Sequence, residues 1–185
     1  AIILARSGSK RLKFKNIKIF NGKPLFVWSM ISANKSRYID QIYLSTDSKK
    51  INELANKNGF KSNQLRNKKL SLDQTSSSEV IFDILSKIQT KFDYFILLQP
   101  TSPLRSIRDI DFAIKKTIHN NYNSLISVNS INNKVNGAIY IQKINYFMKN
   151  KKFKYKNTFL YKMPQQRSID IDTKEDFEKA LKINC

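Results

Sequence analysis

Seven residues near the middle of the chain, Gln99-Pro100-Thr101-Ser102-Pro103-Leu104-Arg105, set two rigid prolines among polar side chains, directly after the apolar run Tyr94-Phe95-Ile96-Leu97-Leu98. An unbroken apolar run of this length is expected of a strand covered on both faces. Each proline fixes its own φ and pushes the residue before it toward extended backbone, so the turn is predicted to be stiff. Gln99, Thr101, Ser102 and Arg105 are then expected to project at a strand's carboxyl end, where open α/β sheets bind ligands. An ordinary strand-to-helix loop is the competing reading, because Ser and Pro also open helices.

Three more loops carry chemistry. In Ala5-Arg6-Ser7-Gly8-Ser9-Lys10-Arg11, glycine and serines let backbone N–H groups approach a phosphate, and Arg6 and Lys10 offer charge-assisted hydrogen bonds. The loop matches neither the Walker A nor the dinucleotide pattern, and a flexible basic loop is the alternative. Lys15 and Asn16 follow as a second polar layer. Asp47 ends the run Leu44-Ser45-Thr46-Asp47, where an acid is expected first to cap the next helix and only second to take part in catalysis. In Ser168-Ile169-Asp170-Ile171-Asp172-Thr173 the alternation puts both carboxylates on one side of an extended chain, a hard-oxygen pair suited to Mg²⁺. Service of Asp172 at the next helix N-terminus is the other reading. His119 is the lone histidine, expected as a solvated helix end, so no Cys/His metal site and no Ser-His-Asp triad can be assembled. Phe26 and Trp28 are expected in the core.

The elements that must position these loops alternate. Strands are predicted over residues 2–5, 41–45, 94–98, 124–128, 137–141 and 158–163. Helices are predicted over 24–34, 49–58, from the capping box Ser76-Ser77-Ser78-Glu79 onward, along the Ile107/Ile110/Ile114/Ile118 stripe, over 143–149, and from Thr173 to Ala180. That order predicts a three-layer α/β fold with a mainly parallel sheet. At 185 residues and 41% hydrophobic content the chain is expected to be one soluble domain, without a signal peptide or membrane span. Cys185, alone, excludes an intramolecular disulfide and fits a reducing cytoplasm. The formal charge of +20 suggests a polyanionic partner, but the lysines run the whole length alongside abundant Asn and Ile, as a compositional bias does. The run Lys149-Asn150-Lys151-Lys152-Phe153-Lys154-Tyr155-Lys156 reads as a solvated loop before an RNA contact, so no specific nucleic acid is expected. A nucleoside triphosphate would profit from the same field.

Taken in order, Ile3-Leu4-Ala5-Arg6, Ser9-Lys10 with Lys15-Asn16, Leu44-Ser45-Thr46-Asp47, residues 97–105, Asn136-Gly137-Ala138-Ile139-Tyr140-Ile141 and residues 168–173 span the chain. The set resembles the motifs of the acylneuraminate cytidylyltransferases, the CMP-sialic acid synthetases. The resemblance implies one Rossmann-like nucleotidyltransferase domain over residues 1–185, in a cytoplasmic and usually homodimeric enzyme. It implies CTP as donor, Mg²⁺ as cofactor and a nine-carbon 2-keto sugar acid as acceptor. Carried onto this chain, it implies that Arg6, Ser9, Lys10, Lys15 and Asn16 hold the nucleotide. Arg66 and Ser77, in the pattern Arg66, Leu70, Asp73, Ser77, would join them. Gln99 and Thr101 orient the sugar acid, Asp170 and Asp172 bind Mg²⁺, and Lys10 and Asp172 serve the chemistry. Two departures stand out. Only residues 129–135 fill the place of a long segment with acceptor and subunit-contact residues, which weakens the expected dimer. Lys134 stands where relatives have an arginine taken to grip the acceptor carboxylate, with Arg167 as the candidate substitute. A nucleotide-binding homologue without turnover and a basic RNA-binding domain are the alternatives.

Overall fold

The computed structural model describes residues 1–9, 11–62, 64–72 and 74–183. Its centre is the apolar strand β1 (Ile2–Leu4), whose side chains alternate between two cores: Ile3 packs with Phe26, Met30, Ile51 and Ile110, and Ile2 with Ile81, Phe95 and Phe147. The period of two thus places helices on both faces, giving the expected three layers. Helices α1 (Leu25–Lys35), α2 (Lys49–Lys57) and α4 (Ile107–His119) cover one face. Helices α3 (Ser77–Lys87) and α5 (Ile144–Asn150) cover the other.

Strand β1 pairs in parallel with β4 (Tyr43–Ser45) and β5 (Tyr94–Leu97). Strand β6 (Ser124–Asn129) pairs in parallel with β8 (Phe159–Met163). Between the two groups lies β7 (Val135–Lys143), antiparallel to both β5 and β6, and the sheet order is β4-β1-β5-β7-β6-β8. The sheet is therefore mixed, mostly parallel. Because β7 runs backwards, its first residues, not its last, reach the carboxyl ends of β1 and β5. The turn over residues 130–134 closes tightly, with the Asn129 N–H donating to the Lys134 carbonyl at 2.8 Å and Asn133 in the left-handed region.

Four helices open on side-chain caps, Ser48, Ser76, Ser106 and Thr173, the last starting α6 (Lys174–Leu181), and the Ser76–Glu79 capping box forms as the sequence predicts. One element was not anticipated. A short hairpin, β2 (Ile19–Phe20) and β3 (Lys23–Pro24), turns at Asn21-Gly22, both with positive φ. This is the dipeptide that hairpin turns of primed type favour. The hairpin brings Phe20 onto Phe177 of α6 and closes a third core with Leu12, Leu25, Leu104 and Ile171. Phe26 is buried and His119 is an exposed helix end, both as expected, whereas Trp28, expected in the core, is half-buried against the third core and donates its indole N–H to the Phe20 carbonyl at 2.7 Å. No helix among the described residues is long and apolar enough to cross a membrane.

Candidate active site

A cleft of about 340 Å³ opens at the carboxyl ends of β1, β4 and β5. Arg6, Ser9, Lys15, Asn16, Arg66, Ser77, Gln99, Thr101, Asp170 and Asp172 all line it, so the structure gathers in one place residues that the sequence spreads over the whole chain. Lys10 and Asp73 lie outside the described residues. Lys134 is exposed in the 130–134 turn, on the same edge of the sheet but apart from the cleft lining. A larger cavity of about 840 Å³, walled by Phe20, Trp28, Leu104 and Ile107, gathers none of these residues.

Each lining loop is tied from behind. Asn16 donates its amide to the Arg6 carbonyl at 2.8 Å, fixing the exit of β1. Asp47 accepts from the Ser7 N–H at 2.7 Å and the Ser7 hydroxyl at 2.8 Å. Asp47 therefore does not cap α2, as its position after β4 suggested; Ser48 takes that role, and Asp47 clamps the small-residue loop beside the cleft. Arg66 reaches the same strand end, donating to the Ser45 hydroxyl at 2.9 Å and the Ser45 carbonyl at 2.8 Å. Loss of hydration lowers its pKa, with Asp47 opposing and Arg6 adding to the shift.

The two-proline turn is stiff but faces inward more than predicted. Gln99 and Thr101 do line the cleft. Ser102 and Arg105 do not: both are buried, and Ser102 donates to the Asn136 carbonyl at 3.2 Å. Arg105 donates to the Gln99 carbonyl at 2.9 Å, the Ala138 carbonyl at 3.1 Å and the Ser29 hydroxyl, so it cross-links the ends of β5 and β7 to α1. Its burial pushes the guanidinium pKa down to about 9, with Asp109 opposing. The Arg105→Met variant strands buried carbonyls and is expected to cost about 3 kcal/mol, read as a lower denaturation midpoint with an unchanged slope. A midpoint equal to wild type would remove this residue from the scaffold.

The carboxylate pair enters from the segment before α6. The Ile171 N–H donates to the Thr101 carbonyl at 2.8 Å, and Asn136 donates to the Ser168 hydroxyl at 3.0 Å, joining this segment to the two-proline turn and to β7. Asp170 opens to the cleft, but the surrounding walls remove enough hydration to raise its pKa; Thr101 and Lys15 oppose the shift and Asp172 adds to it. Asp172 accepts from Lys15 Nζ and from Arg11, both at 2.8 Å, and the same Lys15 Nζ donates to the Ile171 carbonyl at 2.8 Å. Capping of α6 falls to Thr173 with Asp176, so the capping alternative for Asp172 is set aside. Arg167 is likewise not available as an acceptor-side substitute for Lys134. It forms a bidentate pair with Asp109 at 2.7 and 3.0 Å, alongside the Tyr161 hydroxyl at 2.9 Å.

Two site residues escaped the reading of the sequence. Gly137 has φ +73, and a Cβ there would stand 2.6 Å from Gln99 Oε1 and 3.2 Å from Asp170 Oδ2. The missing side chain is the space those two groups occupy, and the signal was a glycine inside a strand. Arg11 is the other, visible only as one more cation in a basic loop.

Beside the two carboxylates stand the Gln99 amide oxygen and the Thr101 hydroxyl, with Lys15 and Arg11 paired to Asp172, and no histidine or thiol lines the cleft. Such a set suits a hard cation such as Mg²⁺. Among the described residues no three acids, histidines or cysteines come together, so the two carboxylates would make up only part of a cation's oxygen shell.

A mostly parallel α/β sheet whose carboxyl edge carries a small-residue basic loop, a rigid polar turn and paired carboxylates defines a nucleotide-handling protein. The cytidylyltransferase family matches residues 1–184, and the chain belongs to that family. It is similar to the CMP-N,N'-diacetyllegionaminic acid synthase of Legionella pneumophila, 32% identical with 100% of this chain and 96% of that protein covered. That alignment runs over 225 positions against 185 residues here, so the relative carries residues without a counterpart in this chain. The N-acylneuraminate cytidylyltransferase of Escherichia coli is also 32% identical, over 99% of this chain but 51% of its own length, so this chain spans about half of that relative. In fold the chain matches CMP:2-keto-3-deoxy-manno-octonic acid synthetase complexed with CTP, with a TM-score of 0.77 at 15% identity, over 97% of this chain and 95% of the other. The expected Rossmann-like nucleotidyltransferase architecture is the one observed.

Proposed function

We propose that this protein transfers the cytidylyl group of CTP to a sialic-acid-like 2-keto sugar acid and releases pyrophosphate. The observation that carries this reading is the convergence, in one cleft, of the cations Arg6, Lys15 and Arg66 with the carboxylates of Asp170 and Asp172. Family membership and the names of the relatives support it.

In this reading Arg6, Ser9, Lys15, Asn16, Arg66 and Ser77 bind CTP, and Lys10 joins them on the phosphates. Gln99 and Thr101 orient the acceptor so that its anomeric hydroxyl lies in line with the α-phosphorus. The new O–P bond forms as the bond to the pyrophosphate oxygen breaks, and the hydroxyl proton passes to a carboxylate oxygen of the Asp170–Asp172 pair. Lysine and arginine side chains meet the charge that builds on the leaving group, and most of the rate comes from positioning and electrostatics. Asp170 and Asp172 would hold a Mg²⁺ ion, which when bound neutralises phosphate charge. Lys134, in the 130–134 turn, would meet the acceptor carboxylate as a point charge and not as a bidentate fork. A cytoplasmic enzyme, a weakened homodimer and no specific nucleic-acid partner belong to the same proposal. A nucleotide-binding homologue without turnover is the second reading, favoured by the tight 130–134 turn where a larger acceptor lobe is absent.

Thermal shift and pyrophosphate release test both. CTP at about one hundred times its dissociation constant is expected to stabilise the fold by about 2.7 kcal/mol, with much smaller shifts from ATP, GTP and UTP. With Mg²⁺ and a panel of 2-keto sugar acids, pyrophosphate is expected with CTP alone and with a weak KM for the acceptor. CTP-specific stabilisation without pyrophosphate from any acceptor would select the second reading. Equal shifts from all four nucleotides would reduce the cleft to a general polyanion site.

A further inference from the structure

The carboxylate that should receive a cation is already occupied. Asp172 is held at 2.8 Å by Lys15 on one oxygen and at 2.8 Å by Arg11 on the other. Lys15 is nearly enclosed, its side chain 12% exposed, and it is further fixed by the Ile171 carbonyl, whereas Arg11 is 71% exposed and able to swing away. The lining of the cleft carries Arg6, Lys15 and Arg66 against Asp170 and Asp172, Arg11 adds a further cation at the rim, and Asp47 is turned into its contacts with Ser7. This field attracts a triphosphate and repels a bare divalent cation.

We propose that Arg11 and Lys15 latch Asp172 in the ligand-free protein, so that the divalent cation enters the cleft only together with the nucleotide. The triphosphate draws the guanidinium and ammonium groups onto its own oxygens, Asp172 is released, and the cation bound to the phosphates takes the freed carboxylate. Nucleotide and cation thereby strengthen each other's binding, and the coupling is the same from either side. Arg11 acts as a positioning residue in this device. The inference rests on the cleft being a nucleotide and cation site, as proposed above.

The test uses the full chain with Mn²⁺ alone as probe, free Mn²⁺ being followed by electron paramagnetic resonance. Arg11→Gln is expected to tighten Mn²⁺ binding in the absence of nucleotide about twofold to fivefold, the range set by surface ion pairs of this kind. Lys15→Gln should shift it the same way, and Arg11→Lys, which keeps the charge, should restore weak binding. In a chelator, with no metal, Arg11→Gln should bind CTP more weakly than wild type. Mn²⁺ affinity that is unchanged or weaker in Arg11→Gln overturns the latch. Failure of wild type to bind CTP under any metal condition overturns the functional reading instead, and leaves the Mn²⁺ comparison to decide on the latch by itself.

Discussion

Asp170→Asn should lower turnover by about 10³-fold or more while leaving the protein slightly harder to melt at neutral pH. The first half follows from its place beside Asp172, Gln99 and Thr101 and from the role proposed for the pair, in which removal of one charge would take away both cation affinity and a proton acceptor. The second half follows from the direction of its pKa shift. Lost hydration raises the Asp170 pKa, so the folded state holds the proton more tightly than the unfolded chain. Above the ordinary carboxylate pKa, ionising the group therefore costs folding free energy, and that cost is fully developed once the pH exceeds the raised value. Below the ordinary value both states are protonated and the cost vanishes. Asn is neutral throughout and can still accept from the Thr101 hydroxyl. Its melting temperature should exceed wild type at pH 7 to 8, with the gain fading toward pH 4; the gain is small because Asp170 is open to the cleft. Asp172→Asn should lose comparable activity without any gain in stability, since it gives up ion pairs to Lys15 and Arg11. Full Mg²⁺-dependent turnover in either variant, or an Asp170→Asn gain that is independent of pH, would contradict this account.

Gly137→Ala should cut kcat/KM for the acceptor about 10²-fold, the penalty typical of a displacement near 1 Å in a positioned group. The new methyl group would lie 2.6 Å from Gln99 Oε1, and the Gln99 side chain, whose carbonyl is pinned by Arg105, has to give way at its far end. Alanine at φ +73 adds about 1 kcal/mol of backbone strain. CTP affinity should hold, because Arg6, Lys15 and Arg66 stand on other loops. A variant with normal acceptor KM would show that Gln99 does not contact the acceptor.

The strands, most helices and the two-proline turn were legible because each depends on local periodicity, a cap or a fixed φ. The run 94–98 is apolar on both sides, and β5 is covered on both faces. Direction was harder to read. Ser102 and Arg105 looked like ligand groups because prolines make the turn rigid, but rigidity does not reveal which way it faces; that depends on Ser29 and Ala138, far away in sequence. Asp47 was similar: its real partner, Ser7, lies in the loop after β1, some 40 residues away, whereas a helix cap and a catalytic role were the readings its own segment offered. The antiparallel course of β7 was invisible for the same reason, since strand order is a global property. The hairpin at Asn21-Gly22 does carry a local signal, the primed-turn dipeptide, but its strands are two residues each, too short for a period of two to show.

The reversed direction of β7 makes the 130–134 turn a natural port for inserted chain. Its two ends are neighbours already held by the Asn129–Lys134 hydrogen bond, so added residues would extend outward without prising the sheet apart. What enters there arrives directly at Asn136 and Gly137, the floor beneath Gln99 and Asp170. Lengthening a loop costs little free energy, rising only about 0.6 kcal/mol for each doubling. Grafts of different size at this point offer a way to retailor which acceptor the cleft admits while the nucleotide loops, anchored on β1 and β4, keep their geometry.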